Sequence, residues 1–145
     1  MTSDFPLALH ILGFLTAREG RPLTSEVMAE TYGTNPVVVR RVLAKLKKAG
    51  LVDSQRGVSG GSVLVKDPAE IDLRTVFHAV HDPSGILSRP SGEDGTVSGV
   101  LSNYVFSLFD RAEEALLAEL GGVTIAEMDK EVRPEICAFF SKRNS

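Results

Sequence analysis

The chain has 145 residues, a formal net charge of −3, 43% hydrophobic residues and a mean hydropathy of +0.04, enough for one compact domain or a small domain with an extension. Its longest apolar runs are a few residues, far short of the ~20 that cross a bilayer, and Asp4 with no basic leader does not read as a signal peptide. One cysteine, Cys137, excludes an intramolecular disulfide framework and fits a reducing cytoplasm, while the absence of tryptophan and 6% aromatics argue against a base-stacking single-strand binder.

In chain order, residues 5–18 predict a mostly buried first helix, with Asp4 as N-cap, Pro6 in the first turn and Ala8, Ile11, Leu12 and Leu15 at helical spacing. Thr24 caps a short second helix that Gly33 stops. Asn35-Pro36 then opens a third, with Asn35 as cap and Pro36 at the first helical position, running to about Ala49. Val39, Val42, Leu43 and Leu46 form its apolar stripe, with Arg41, Lys45 and Lys48 projecting from the far side and Arg40 and Lys47 on a flank. Leu51–Gln55 and Ser62–Lys66 are candidate paired strands around a tip containing Gly57, Gly60 and Gly61. Asp72 caps a fourth helix with Leu73, Val76, Phe77 and Val80 on one side. Residues 82–95 read as an exposed loop. A long helix follows over about 96–120, with Val97, Val100, Leu101, Tyr104, Leu108, Ala112, Ala115 and Leu116 along one side; it is roughly 35 Å long, too long for so small a core to cover. Gly121-Gly122 ends it, and residues 124–132 predict a short last helix.

Charge is distributed unevenly. Residues 31–66 carry seven cations (Arg40, Arg41, Lys45, Lys47, Lys48, Arg56, Lys66) against one acid, Asp53, a net of +6, so the rest of the chain holds −9. An acidic chain that gathers its cations on one helix and the hairpin after it has an electrostatic footprint for a polyanion. A lone basic helix face would be only a solvated surface; the turn before it and the arginine-tipped hairpin after it point to duplex DNA. Arg40 and Arg41 suit guanine edges or phosphates, while Lys45, Lys47 and Lys48 suit phosphates. Val37 and Val38 suit thymine methyls or packing within the turn, and Arg56, among glycines, suits a narrow A·T-rich minor groove.

The runs Asn35-Pro-Val-Val-Val-Arg-Arg-Val-Leu43, Leu46-x-x-Ala-Gly-Leu-Val52 and Arg56-Gly-x-x-Gly-Gly61 resemble the Rrf-two family of bacterial transcription regulators. Leu7-Ala-Leu-His-Ile-Leu12 and Asp67-Pro-Ala-Glu-Ile-Asp-Leu73 extend the likeness over most of residues 5–82. The resemblance implies a mainly α fold: a winged helix-turn-helix domain (1–81), the loop (82–95) and a segment with the dimerisation helix and a C-terminal helix (96–145). It implies a cytoplasmic homodimer on a double-stranded operator, acting as a repressor, with a small-molecule effector possible. By position, Asn35, Val37, Val38, Arg40, Arg41, Lys45, Lys47, Lys48, Arg56 and Ser59 would meet DNA, and Val97, Leu101, Tyr104, Leu108, Ala112 and Leu116 would form the dimer seam. Many members hold an iron–sulfur cluster on three cysteines after the fourth helix; residues 82–95 here have none, so the resemblance is to the cluster-free branch, with no cofactor and no metal expected.

Other features carry less. Gly57-x-x-Gly60-Gly61 is followed by a strand rather than a helix and has no GK[ST], which excludes a nucleotide cradle. His78 and His81 lack partner ligands and read as packing or surface residues, His10 as packed inside, and Cys137 as a small buried hydrophobe or else a redox-sensing thiol. No catalytic constellation is present, so the chain is not expected to be an enzyme. A contrasting reading is a protein-interaction adaptor or redox sensor on the same dimeric scaffold, with weak or no DNA binding.

Overall fold

The structure, a computed structural model, describes residues 4–81 and 95–143. Six α-helices and one hairpin follow in the order α1 (Asp4–Ala17), α2 (Ser25–Tyr32), α3 (Pro36–Lys48), β1 (Val52–Gln55), β2 (Gly61–Leu64), α4 (Leu73–Val80), α5 (Val97–Gly121) and α6 (Ile125–Arg143), with a 3-10 turn at Pro68–Glu70. This is the mainly helical winged-helix architecture expected. No helix among the described residues is long and apolar enough to cross a membrane.

The element boundaries follow local chemistry. Thr24 accepts a bond from Val27 N–H at the start of α2, Asn35 from Val37 N–H at the start of α3, and Asp72 from Thr75 N–H at the start of α4. Each occupies a donor that a helix leaves unpaired at its first turn. Gly33 sits at φ 89°, in the left-handed region, and closes α2 with its N–H on Ala29 C=O. Three residues therefore suffice to turn the chain from α2 into α3. The expected loop at 82–95 lies, apart from Gly95, outside the described residues.

The core is built on α1, whose Leu7, Ala8, Ile11, Leu12 and Leu15 are all buried. Met28 and Ala29 of α2, Val39, Val42 and Leu46 of α3, and Val76 and Val80 of α4 close around them. The hairpin pairs antiparallel in the register Val52↔Leu64 to Gln55↔Gly61. It is also fastened backwards to the strand-like residue before α2: Leu23 N–H bonds Ser62 C=O at 3.0 Å and Ser62 N–H bonds Leu23 C=O at 2.8 Å.

The last helix differs from expectation. It runs to Arg143 rather than stopping near residue 132, continuing through Pro134. An interior proline removes one backbone donor and normally breaks a helix; here α6 packs along α1. Thr124 and Glu127 form a reciprocal capping box, Ile125 is fully buried, and Arg133 ties α6 to Glu19 beyond the end of α1 at 3.2 Å. The start of α6 thus belongs to the same core as the winged helix. Cys137, expected to be buried, is exposed because the continued helix turns it outward. His10 is likewise exposed, with Nδ1 2.7 Å from Pro6 C=O and its ring edge-on to Tyr32.

Candidate nucleic-acid interface

Helix α3 buries Val39, Val42, Leu43 and Leu46, so its opposite side must face out. Val37, Arg40, Ala44 and Lys48 follow one another at three- and four-residue steps along that outer side, and all four are exposed. Ala44 was not singled out by the sequence reading, because a small neutral residue carries no chemical signature. Its effect is steric, since a methyl at the centre of the stripe leaves a surface free to approach closely.

Between α3 and the hairpin lies a groove of about 670 Å³. Arg40, Ala44 and Lys47 form its helix wall, while Ser54, Gln55 and Arg56 form its hairpin wall. Arg40, Lys47 and Arg56 bring cations to the groove, Glu26 an acid, and Leu43, Val52 and Val58 apolar surface. Ser54 and Gln55 are further donors that the sequence reading did not select; they emerge only once the hairpin is folded against α3. Arg56 and Ser59 sit on the exposed tip, whose Val58 is fully in solvent.

The tip geometry is enforced by close backbone contact. A Cβ on Gly60 would fall 2.4 Å from Gln55 C=O, and one on Gly61 would fall 2.6 Å from the Leu23 backbone. Gly61 also has φ 149°, so both sterics and conformation reserve the position for glycine.

The remaining expected site residues separate into groups. Asn35 uses Oδ1 for its cap, 2.8 Å from Val37 N–H. Val37 is 63% exposed, whereas Val38 packs against the core, which decides between its two readings in favour of packing. Arg40 pairs with Glu26 at 3.2 Å and Lys47 with Asp53 at 3.4 Å, each pair with both partners in solvent. Such exposed pairs contribute little and exchange readily. Asp53 sits below the usual carboxylate range, chiefly because Ser54 N–H bonds it and also because Lys47 is beside it.

Arg41 and Lys45 behave differently. Expected to project freely from the far side of α3, they turn along its flank to Asp4 of α1, with Arg41 Nη2 to Oδ1 at 2.6 Å and Lys45 Nζ to Oδ2 at 2.7 Å. Asp4 lies within α1 rather than capping it, and its side chain is 9% exposed. Burial pushes its carboxyl up, but the hydrogen bonds and charges of Lys45 and Arg41 outweigh burial and hold it below its ordinary 3.8.

The expected dimer residues all lie on α5. Only Gly99 and Ser102 of its described residues are buried, while Val97, Leu101, Tyr104, Leu108, Ala112 and Leu116 are exposed, Val97 by 80% and Tyr104 by 64%. Among the described residues no group of three or more His, Cys, Asp or Glu side chains could hold a metal.

The model of the Rrf2 family, described as iron-dependent transcriptional regulators, matches residues 1–131. The chain belongs to the Rrf2 family. With it, the chain is a DNA-binding transcriptional regulator. It is 32% identical over 130 residues to YwnA of Bacillus subtilis, named as an HTH-type transcriptional regulator, covering 88% of this chain and 96% of that protein. It is 30% identical over 128 residues to the HTH-type transcriptional regulator IscR of Serratia proteamaculans, covering 88% of this chain and 73% of the relative. A solved structure described as a DNA-binding protein superposes with a TM-score of 0.69 at 33% identity, covering 87% of this chain and 98% of the other.

The Asp4 triad sets an acid limit. A carboxyl whose folded pKa is depressed stabilises the fold fully above the unfolded value of about 3.8, and that contribution is lost as pH falls towards and through the lower folded value. Urea titrations from neutral pH down to pH 3 are expected to show falling stability, with a smaller fall in Asp4→Asn, whose amide does not titrate. An equal fall in both proteins would assign the acid sensitivity to other carboxylates.

Proposed function

We propose that this Rrf2-family protein is a cytoplasmic homodimeric repressor that reads a roughly palindromic duplex through α3 and the hairpin tip. The observation that carries the reading is the shared groove, in which an outward helix stripe and an arginine-tipped hairpin present cations to one surface. A helix fits the major groove, and an arginine on a narrow tip fits the adjacent minor groove. In this reading Arg40, near the start of α3, reads base edges, Val37 meets thymine methyls, Asn35 and Ser59 contact the backbone, and Lys47 and Lys48 neutralise phosphate.

The α5 face supports a two-fold assembly. Val97, Val100, Leu101, Tyr104, Leu108 and Leu116 are large, exposed and on one helix, and exposed apolar surface of that extent marks an interaction site. A second copy of α5 presents a self-complementary face and places two α3 helices for two half-sites.

Iron does not fit this chain as a cluster. Clusters are held by several cysteine thiolates, and the sequence has Cys137 alone, exposed on α6 and far from the end of α4. The regulator works in our reading without a cluster. Protein purified anaerobically with iron and sulfide supplied is expected to be colourless, and stoichiometric iron with visible absorption would overturn this.

Leu101→Glu with Leu108→Glu should convert the dimer to a monomer, because it places charges in an apolar seam without partners. Sedimentation velocity showing an intact dimer would move the interface off α5. For DNA, an operator enriched from a random duplex pool provides the reference. Arg40→Ala should cost about 1–3 kcal/mol per half-site on that operator and much less on random duplex, whereas Lys48→Ala should weaken all duplexes alike and lower the salt slope by about two units, one for each protomer. Fluorescence anisotropy at several salt concentrations measures both. Equal loss on every duplex for Arg40→Ala would make it a phosphate anchor, and absence of duplex binding by the unmodified protein at low salt would favour a protein-interaction adaptor.

A further inference from the structure

The cations on α3 are held in two physically different ways. Glu26–Arg40 and Asp53–Lys47 are exposed on both sides, so a phosphate arriving from solvent competes with each acid on equal terms. Asp4 is different, since its carboxylate is buried between α1 and α3 and each of its oxygens takes one cation, Oδ1 from Arg41 and Oδ2 from Lys45. Drawing either cation away would strand part of a buried negative charge, which is far more costly than breaking a surface pair.

Arg41 and Lys45 lie one helical turn apart on the flank of α3 that faces α1, beside the outward stripe of Val37, Arg40, Ala44 and Lys48. Both side chains keep part of their surface in solvent on that flank, Arg41 53% and Lys45 38%. We propose that Asp4 is a specificity-determining residue, which withholds Arg41 and Lys45 from phosphate and so lowers the sequence-independent share of DNA affinity. This rests on the DNA-binding reading above and deepens it. Nonspecific affinity comes almost wholly from neutralised phosphates, each adding about 0.9 to the slope of log affinity against log salt. Removing two cations from that count leaves the operator's base contacts a larger share of the total. Asp4 contacts no DNA in this scheme and acts by positioning.

The test compares the unmodified dimer, Asp4→Asn, and the triple variant Asp4→Asn with Arg41→Gln and Lys45→Gln, each titrated with random duplex and with the enriched operator over a range of sodium chloride. Asp4→Asn, which frees two cations in each protomer of the dimer, should bind random duplex about tenfold more tightly or better at moderate salt, with a slope steeper by about 3.6 units, while the operator-to-random ratio falls. The triple variant, which has no unpaired charge, should return to the unmodified slope. An unchanged slope in Asp4→Asn would overturn the proposal. So would a triple variant about 3.6 units shallower than the unmodified protein, because Arg41 and Lys45 of both protomers would then already be on phosphate. If Asp4→Asn fails to fold, the triple variant decides alone. Failure of the DNA-binding reading itself is visible separately, as no salt-dependent binding of the unmodified protein to any duplex.

Discussion

Helix α1 has almost no polar side, and the molecule is arranged around that constraint. Leu7, Ala8, Ile11, Leu12 and Leu15 are buried, with Leu9 and Phe14 packed partly against the same core. A helix that is apolar over most of its circumference must be enclosed. Helices α2, α3, α4 and α6 and strand β2 all pack on it. Helix α3 is seated on both α1 and α2, and the Asp4 carboxylate sits where that docking brings two of its cations.

Much of this was legible in the sequence because the deciding interactions are local. Thr24, Asn35 and Asp72 each cap a helix through a donor two or three residues on, and such spacing is visible in a linear chain. The α3 stripe was equally readable from its period. What was not legible depends on contacts far apart in the chain. Asp4 meets Arg41 and Lys45 across 37 and 41 residues, and at the sequence level it looks like an ordinary N-cap. The length of α6 was hidden for the opposite reason: Pro134 is a strong local stop that tertiary packing along α1 overrides. His10 and Cys137 were misplaced because residue type is a weak guide to which side of a helix faces out.

Charge counting shows the same limit. The seven cations of residues 31–66 face one acid along the chain, but three in space, since Asp4 and Glu26 join Asp53 from outside that window. The excess falls from +6 to +4, and its quality changes with it. Two surface pairs leave their cations negotiable, whereas Arg41 and Lys45 answer to an acid that is itself buried.

The fastening of the hairpin to Leu23 has a mechanical consequence. The Leu23–Ser62 bridge and the close approach at Gly61 tie the base of the hairpin to the segment leading into α2, and the short Gly33 turn couples α2 to α3. The spacing from the α3 stripe to the hairpin is thereby a gauge held through α2. A duplex that engages both ends of that gauge must supply the compliance itself, at an elastic cost of about 1–6 kcal/mol for a smooth bend. In the proposed complex flexible base steps would lower that cost and stiff ones raise it, extending selectivity to base pairs that no side chain touches.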